Sequence, residues 1–391
     1  MNILFIAPYV PSRIRVRPYH FIKELAKRHE LHVLALGEPG GAKSGSRELA
    51  SEVSTFDVIA HSKLRGLAQS FIALPTPVPM CAAYCWSSAM QARIRNIIRD
   101  TQFDVVHIEH LRAAHFAKSC ENLPVVFDSV DCLTGLFGQL YHSKKNPIAK
   151  LIMLEEHLKL KRYEPRVLAS FQGVAITSQS ERDELIALNK SLNIEVTPNG
   201  VDTDYFSPMS STKNPHQIVF SGKMGYHPNA QAALWFADGV FPAVKRKHPQ
   251  AEFVIVGSDP PAEILKLGDR PGITVTGYVD DIRSYLDSSG VAVVPMQVAV
   301  GVQNKALEAM AMNLPVVATP ISTRPLGVNC PGIIQAGSIS DMIDEVSNLL
   351  DQPKLAGEIG EQGRQEVVRN FSWKSSVAKL EILYEKAIKE F

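Results

Sequence analysis

Continuous apolar runs of strand length recur along this chain, each separated from the next by a stretch with room for a helix. In the first half they fall at residues 2–7, 31–36, 56–60, 104–109, 124–128 and 173–177. In the second they fall at 217–221, 252–257, 273–275, 291–295 and 316–318. A run that is apolar at successive positions marks a strand covered on both faces. Parallel neighbours need a crossover, usually a helix, and that crossover is right-handed. The pattern therefore calls for parallel sheets sandwiched between helices. It also sets where a ligand goes, because open sheets of this kind bind beyond the carboxyl ends of their strands.

The alternation pauses at PNGVDTDYF, residues 198–206, a polar turn-rich segment that reads as a domain junction, and then restarts. A length of 391 residues suits two domains. The expected division is 1–200, 201–371 and a last helix over 372–391, with Val377, Leu380, Leu383, Tyr384 and Ile388 on one face. Helices are also expected over 19–29, 230–247 and 282–286.

A charged fraction of 21% and a net charge of +1 exclude the strongly basic balance of a nucleic-acid binder, and no nucleic-acid partner is expected. The halves differ. Residues 1–195 carry 24 Lys/Arg against 19 Asp/Glu, and the remainder 17 against 21. A basic first half suits an anionic substrate or membrane surface, and ordinary scatter would also produce it. The 5 cysteines lack a C-x-x-C and lie in apolar surroundings, as reduced buried thiols do. The N-terminus has no cationic stretch before its apolar run and is expected to be a first strand, in a cytoplasmic protein. No run is long enough to span a bilayer. The closest, 71–86, is interrupted by Pro75, Pro77 and Pro79, and the segment 64–86 either lines the core, the default for such a run, or forms an exposed patch that meets a lipid.

VGVQNKALEAMAMNLPVVATP, residues 300–320, compresses loop, helix, turn and buried strand into one α/β unit. Its loop feeds a helix N-terminus, where unpaired N–H groups and the positive end of the helix dipole favour a phosphate. Lys305 adds a cation there, and Glu308, one turn in, can accept hydrogen bonds from sugar hydroxyls. Two solvated charges on a buried helix is the plainer alternative. In the first half, the loop after the first strand holds Arg13, Arg15 and Arg17, able to meet an anion or simply to be solvated. The strand 104–109 ends in His107, Glu109 and His110, with His115 beyond. No metal-ligand spacing fits them, and a His at a strand's carboxyl end is an active-site candidate. Asp131 follows the strand 124–128 in the same way. The AKS of residues 42–44 lacks the glycine a P-loop needs before its lysine.

Taken together, PNGVDTDYFSP, IVFSGKMGYHPN, FVIVG, VTGYVDDIRSYL, GVQNKALEAMAMNLPVVATP and the terminal FSW…LYEKAI resemble glycosyltransferase family 4 over nearly the whole chain. The likeness is strongest to members serving bacterial exopolysaccharide assembly. It implies the GT-B fold: two Rossmann-like, doubly wound α/β domains facing a central cleft, with a C-terminal helix crossing back to the N-terminal domain. The first domain would bind the acceptor and the second the nucleotide-sugar. It also implies retaining, nucleotide-sugar-dependent transfer, with a UDP- or GDP-sugar as donor substrate, no further cofactor and no metal. Glu308 matches the second glutamate of the family's E-x7-E motif and would hold the donor ribose. The first glutamate is replaced by Val300, which leaves the sugar contacts open. Gly301, Asn304, Lys305 and Ala306 match the loop and helix start that meet the diphosphate. Gly222, Lys223 and Asn229 belong to the glycine-rich loop beside it, where Lys223 stands in for the usual arginine. Tyr278 and Val279 fall where the base rests. His110 or His107 falls near the family's donor-sugar histidine, and Arg15, Arg17 and Asp131 are candidates for the acceptor or phosphate side.

The chemistry fits these residues. Expelling a nucleoside diphosphate builds negative charge, which a helix N-terminus, Lys223 and Lys305 would stabilise. The acceptor is expected to be a saccharide or a lipid-linked molecule, with peripheral contact at the inner face of a membrane. A nucleotide-sugar epimerase of the same fold and a non-catalytic scaffold are the alternatives that the sequence leaves open.

Overall fold

The computed structural model describes residues 1–12, 15–38, 48–143, 146–209, 212–298, 302–327 and 329–391. Arg13, the AKS of residues 42–44, Val300 and Gly301 lie outside the described residues.

The strands are β1 (Asn2–Ala7), β2 (Glu30–Gly37), β3 (Thr55–Ala60), β4 (Val105–Glu109), β5 (Val125–Asp128), β6 (Gly173–Ile176) and β7 (Ile194–Val196) in the first half. The second half holds β8 (Asn214–Ser221), β9 (Glu252–Val256), β10 (Ile273–Gly277), β11 (Ser289–Val294), β12 (Val316–Ala318) and β13 (Ile333–Gln335). They form a 7-stranded sheet, β3-β2-β1-β4-β5-β6-β7, and a 6-stranded sheet, β10-β9-β8-β11-β12-β13. Pairing is parallel in both, for example Ile3 with Leu31 and Val105, and Ile218 with Phe253 and Val291. Each sheet has its own buried core, built around Leu4, Ile108 and Phe127 in one and Phe220, Phe253 and Val293 in the other.

The chain divides into two compact units, Met1–Pro198 with Ser376–Phe391, and Asn199–Ser375. The terminal helix Trp373–Glu390 is fastened to the first unit by several contacts. Leu383 packs onto Gly173, where a Cβ would sit 2.7 Å from it. Glu381 meets His29 at 2.7 Å and Arg28 at 3.0 Å, and Lys386 meets Glu195 at 2.8 Å. Strand order reverses between β1 and β4 in the first unit and between β8 and β11 in the second. Those reversals open the crevices in which doubly wound sheets bind ligands.

Four expectations change. The helix expected over 19–29 runs Val16–Leu25. The helix expected over 230–247 is two, His227–Gly239 and Phe241–Lys247, each with a proline in its first turn. Pro242 cannot continue the preceding helix but suits the start of a new one. The helix expected over 282–286 runs Arg283–Ser288, with Ile282 as its N-cap. The segment 64–86 does not line the core throughout. It opens with the helix Lys63–Ala73, whose buried residues are only Gly66 and Ala73, leaving Leu64, Leu67, Phe71 and Ile72 exposed. Small residues fill its inner face, so its large apolar side chains are left to point outward.

Candidate functional site

In the second unit the carboxyl ends of β8, β9 and β11 converge on a knot of backbone and polar side chains. The Gly222 N–H donates to the Val256 carbonyl at 2.9 Å, and the Met224 N–H to the Ser258 carbonyl at 2.8 Å. Gly257, at φ 149°, lies so close that a Cβ would fall 1.8 Å from the Gly222 carbonyl oxygen. Gly222, at φ 155°, would bring a Cβ 2.9 Å from Asn229 Nδ2 and 3.2 Å from Lys305 Cε. Only glycine fits at either place.

Asn229 ties the knot to the second half of the site. Its amide donates to the Lys223 carbonyl at 3.0 Å, and its oxygen accepts from Lys305 Nζ at 3.1 Å. Lys305 stands in the first turn of the helix Asn304–Ala311, whose N-cap, Gln303, makes no side-chain capping bond. The Ala306 N–H turns back onto the Gln303 carbonyl at 2.9 Å, and the N–H groups before it, with no side-chain cap, can meet an anion. Burial pushes the Lys305 ammonium down to about 8, against the pull of Glu308. Burial likewise pushes the Glu308 carboxyl up to about 7, against the pull of Lys305. Among the described residues the buried Asn304 Oδ1 has no hydrogen-bond partner. Polar groups withheld from both solvent and protein are groups awaiting a ligand.

The remaining second-unit candidates flank this knot. Lys223 Nζ lies 3.2 Å from Asp259, both exposed, so it can turn toward a ligand at little cost. Tyr278 follows β10 and is 75% exposed, a free ring face, while Val279 packs against the core. Ala306 is buried on the inner face of its helix.

In the first unit the structure separates the two histidines. His107 is fully buried, stacked on Phe5 at 4.2 Å, and shares a 2.9 Å hydrogen bond through Nδ1 with the Tyr384 hydroxyl. Burial lowers it to about 4. Its contacts are those of a core residue beneath the terminal helix. His110 lies at the very end of β4 in a left-handed conformation, φ 67°. Its Nδ1 accepts the Arg112 N–H at 3.2 Å. Burial, then Arg112 and Arg15, lower it to about 3, so it is neutral. With Nδ1 occupied as acceptor, the proton sits on Nε2, which can donate a hydrogen bond. Val130, just past β5, also has a left-handed backbone, φ 65°. Strain of this kind in non-glycine residues collects at functional sites.

Arg17 is not available to a phosphate. It is buried in a two-pronged pair with Asp128, at 2.7 Å and 3.0 Å, because β1's following helix sets it against the end of β5. Asp131, beside that pair, is pushed up to about 7 by burial and by Glu181. Arg15 is exposed, its guanidinium 4.3 Å above the Tyr9 ring. Tyr9 in turn donates to Glu109 at 2.8 Å, and burial, then Asp128, push that carboxyl up to about 8. Arg112 and His61, which carried no signal in the sequence beyond their distance from a strand end, line the same end of the sheet as Arg15. Among the described residues no three His, Cys, Asp or Glu side chains gather as a metal-binding group. No described helix is long and apolar enough to cross a membrane.

Residues 15–205 match the family model Glycosyltransferase Family 4, and residues 215–352 match Glycosyl transferases group 1. An MMP alpha-(1->4)-mannosyltransferase of Mycolicibacterium hassiacum is 27% identical over 208 residues, 50% of this chain and 49% of that protein. The capsular polysaccharide biosynthesis glycosyltransferase CapM of Staphylococcus aureus is 26% identical over 133 residues, 33% of this chain and 34% of that protein. The chain thus spans about half the length, or less, of these curated relatives. Among solved structures, a sucrose-phosphate synthase of Thermosynechococcus elongatus superposes with a TM-score of 0.70 at 16% identity, over 100% of both chains. Anabaena Alr3699/HepE, solved in complex with UDP, gives 0.70 at 13% identity, over 98% of this chain and 99% of that one. Both likenesses lie in the fold.

Proposed function

We propose that this chain, a glycosyltransferase family 4-like protein with the GT-B fold, moves a sugar from a UDP- or GDP-sugar to a saccharide or lipid-linked acceptor with retention. The observation that carries the reading is the second-unit knot: a glycine-built crevice, a helix N-terminus without a side-chain cap, a half-buried lysine, a carboxyl group one turn beyond it and an unpartnered Asn304 oxygen. The helix N-terminus and Lys305 take the diphosphate, with Lys223 turning in from Asp259. Glu308 accepts from the ribose hydroxyls, and Tyr278 offers its face to the base. His110 donates Nε2–H to a hydroxyl of the sugar. Asp131 and Arg15 remain on the acceptor side.

In the reaction the anomeric C–O bond to the diphosphate breaks as the acceptor oxygen bonds the same carbon. The acceptor proton passes to the departing phosphate oxygen. Charge collects on that diphosphate, where fixed N–H groups and lysine ammoniums stabilise it more in the transition state than in the ground state. The two lysines do the work that a metal ion does at other diphosphate sites, so turnover is independent of metal. The solved HepE complexes hold UDP and UDP-glucose, and one mycobacterial relative is described as GDP-mannose-dependent, which supports a nucleotide-sugar donor. The sequence likeness supports a place in surface or exopolysaccharide synthesis, at the inner face of the cell membrane.

Incubation with UDP-, GDP- and ADP-sugars tests this. Slow release of the nucleoside diphosphate, undiminished by EDTA, is the expected result. A changed sugar still joined to its nucleotide would instead identify an epimerase. No binding of any nucleotide at millimolar concentration would overturn the reading.

A further inference from the structure

The carboxyl end of the first sheet holds a cavity of about 650 Å³ whose polar wall is cationic. Arg15, Lys63 and Arg112 line it; among the described lining residues Glu38 is the one carboxylate, and it is already paired with Lys63 at 3.1 Å. Among the described residues neither Arg15 nor Arg112 pairs with a carboxylate. Their guanidiniums lie 4.3 Å from the Tyr9 ring centre and 5.7 Å from that of Tyr84 instead. Arg112 Nε is buried without a partner. His61, only 7% exposed, spends Nε2 on the Tyr84 carbonyl at 2.8 Å and leaves Nδ1 unpartnered. Glu109 behind Tyr9, held up to about 8, is uncharged at neutral pH and does not oppose an anion. Two unpaired guanidiniums converging on one cavity suit a phosphate group, which they can hold through forked hydrogen bonds.

The cavity is continuous with an apolar surface. Lys63, on its wall, is also the first residue of the helix Lys63–Ala73. Tyr84, also on the wall, lies against Gly66 of that helix, where a Cβ would come 2.5 Å from the ring. The helix contains no acidic residue and turns Leu64 (81% exposed) and Phe71 (68%) outward. The helix Pro147–Leu168 meets its C-terminal end, where Lys159 Nζ donates to the Ala73 and Leu74 carbonyls at 3.2 Å and 2.8 Å. This second helix exposes Ile148 (71%) and Leu151 (65%). Large apolar side chains bordered by Lys63, Arg65 and Lys150 have the composition of a surface that lies in an anionic lipid interface.

We infer that the cavity of Arg15 and Arg112 binds the phosphate of a membrane lipid, with the two exposed helices seated in the bilayer that carries it. A lipid-borne phosphate explains both halves at once: the headgroup enters the cationic cavity while the apolar helices keep the mouth at the interface. Calling this lipid the acceptor rests on the transferase reading above; the binding itself does not.

Flotation of the full chain with phosphatidylcholine vesicles, alone or mixed with phosphatidic acid, tests the inference. Binding is expected only to the mixed vesicles. Leu64→Asp with Phe71→Asp should weaken it by about tenfold or more, since each side chain leaves the interface. Arg15→Ala with Arg112→Ala should weaken it comparably, and Arg15→Lys with Arg112→Lys should recover part of it. Circular dichroism checks that each variant is folded. Calorimetry with glucose 6-phosphate, with a nucleoside diphosphate saturating the other unit, separates a lipid from a free phosphate. Weak binding is expected, and binding as tight as to the vesicles would overturn the lipid assignment. Equal binding to both vesicle types, or full binding by the double alanine variant, would overturn the cavity. A dimer in solution that Leu64→Asp and Phe71→Asp convert to monomer, without vesicle binding, would assign the apolar face to a second copy. Nucleotide affinity of the Leu64/Phe71 variant is expected to be unchanged, so loss of the lipid result leaves the transferase reading standing.

Discussion

Replacing Glu308 removes the carboxyl group one turn beyond Lys305 in the second-unit knot. If it holds the ribose, two vicinal hydroxyls donate to it. Hydrogen bonds to a charged acceptor contribute about 1.5–3 kcal/mol each, and two to one carboxylate add to less than twice that. Loss of ~2–3 kcal/mol in Glu308→Ala corresponds to a dissociation constant ~30- to 150-fold higher. Glu308→Gln keeps the shape and one acceptor oxygen, and should cost about 1 kcal/mol, or ~5-fold. The pH dependence sharpens the test. Burial holds Glu308 up to about 7, so its carboxylate forms only as pH rises through that value, and affinity should rise with it. Burial holds Lys305 down to about 8, so its charge is lost above that value, and affinity should fall again. The wild-type profile therefore peaks between the two. In Glu308→Gln the acid limb disappears. The alkaline limb moves to lower pH, because the carboxylate no longer supports the ammonium. Calorimetry with a nucleotide-sugar suits this, since its diphosphate is esterified at both ends and does not titrate in this range. Unchanged affinity in Glu308→Ala, or an acid limb that survives in Glu308→Gln, would refute the ribose assignment.

Gly257→Ala should destabilise the second unit by roughly 3–5 kcal/mol, because its methyl group would collide with the Gly222 carbonyl and its backbone is left-handed; thermal melting reads this directly. Arg17→Ala should cost about 3–5 kcal/mol in urea unfolding of the first unit, since it strands Asp128 as a buried unpaired charge. Lys223→Ala should leave stability within ~0.5 kcal/mol, as both it and Asp259 are exposed, while lowering turnover by roughly 10- to 100-fold. Equal losses in melting temperature and rate would remove Lys223 from the chemistry.

The alternation of unbroken apolar runs with helix-length spacers determined the architecture on its own. Strands covered on both faces cannot hide their composition, and parallel pairing leaves few ways to connect them. Residues 302–320 were legible for the same reason: loop, helix and strand are local, and Lys305 and Glu308 stand one turn apart in any helix. Other features depended on partners far along the chain. Arg17 and Arg15 look alike in the sequence, but sheet order buries one against Asp128, 111 residues away, and leaves the other facing a cavity. His107 and His110 lie three residues apart, yet one faces Tyr384 of the terminal helix and the other ends the strand. Leu64 and Phe71 read as core by default, because apolar side chains usually are, with an exposed patch as the alternative. Gly66 and Ala73 took the inner face, and the surface left outside is where the structure points to lipid. Local patterns fix which elements form; which side chains meet is decided only when the sheet brings distant strand ends to one edge.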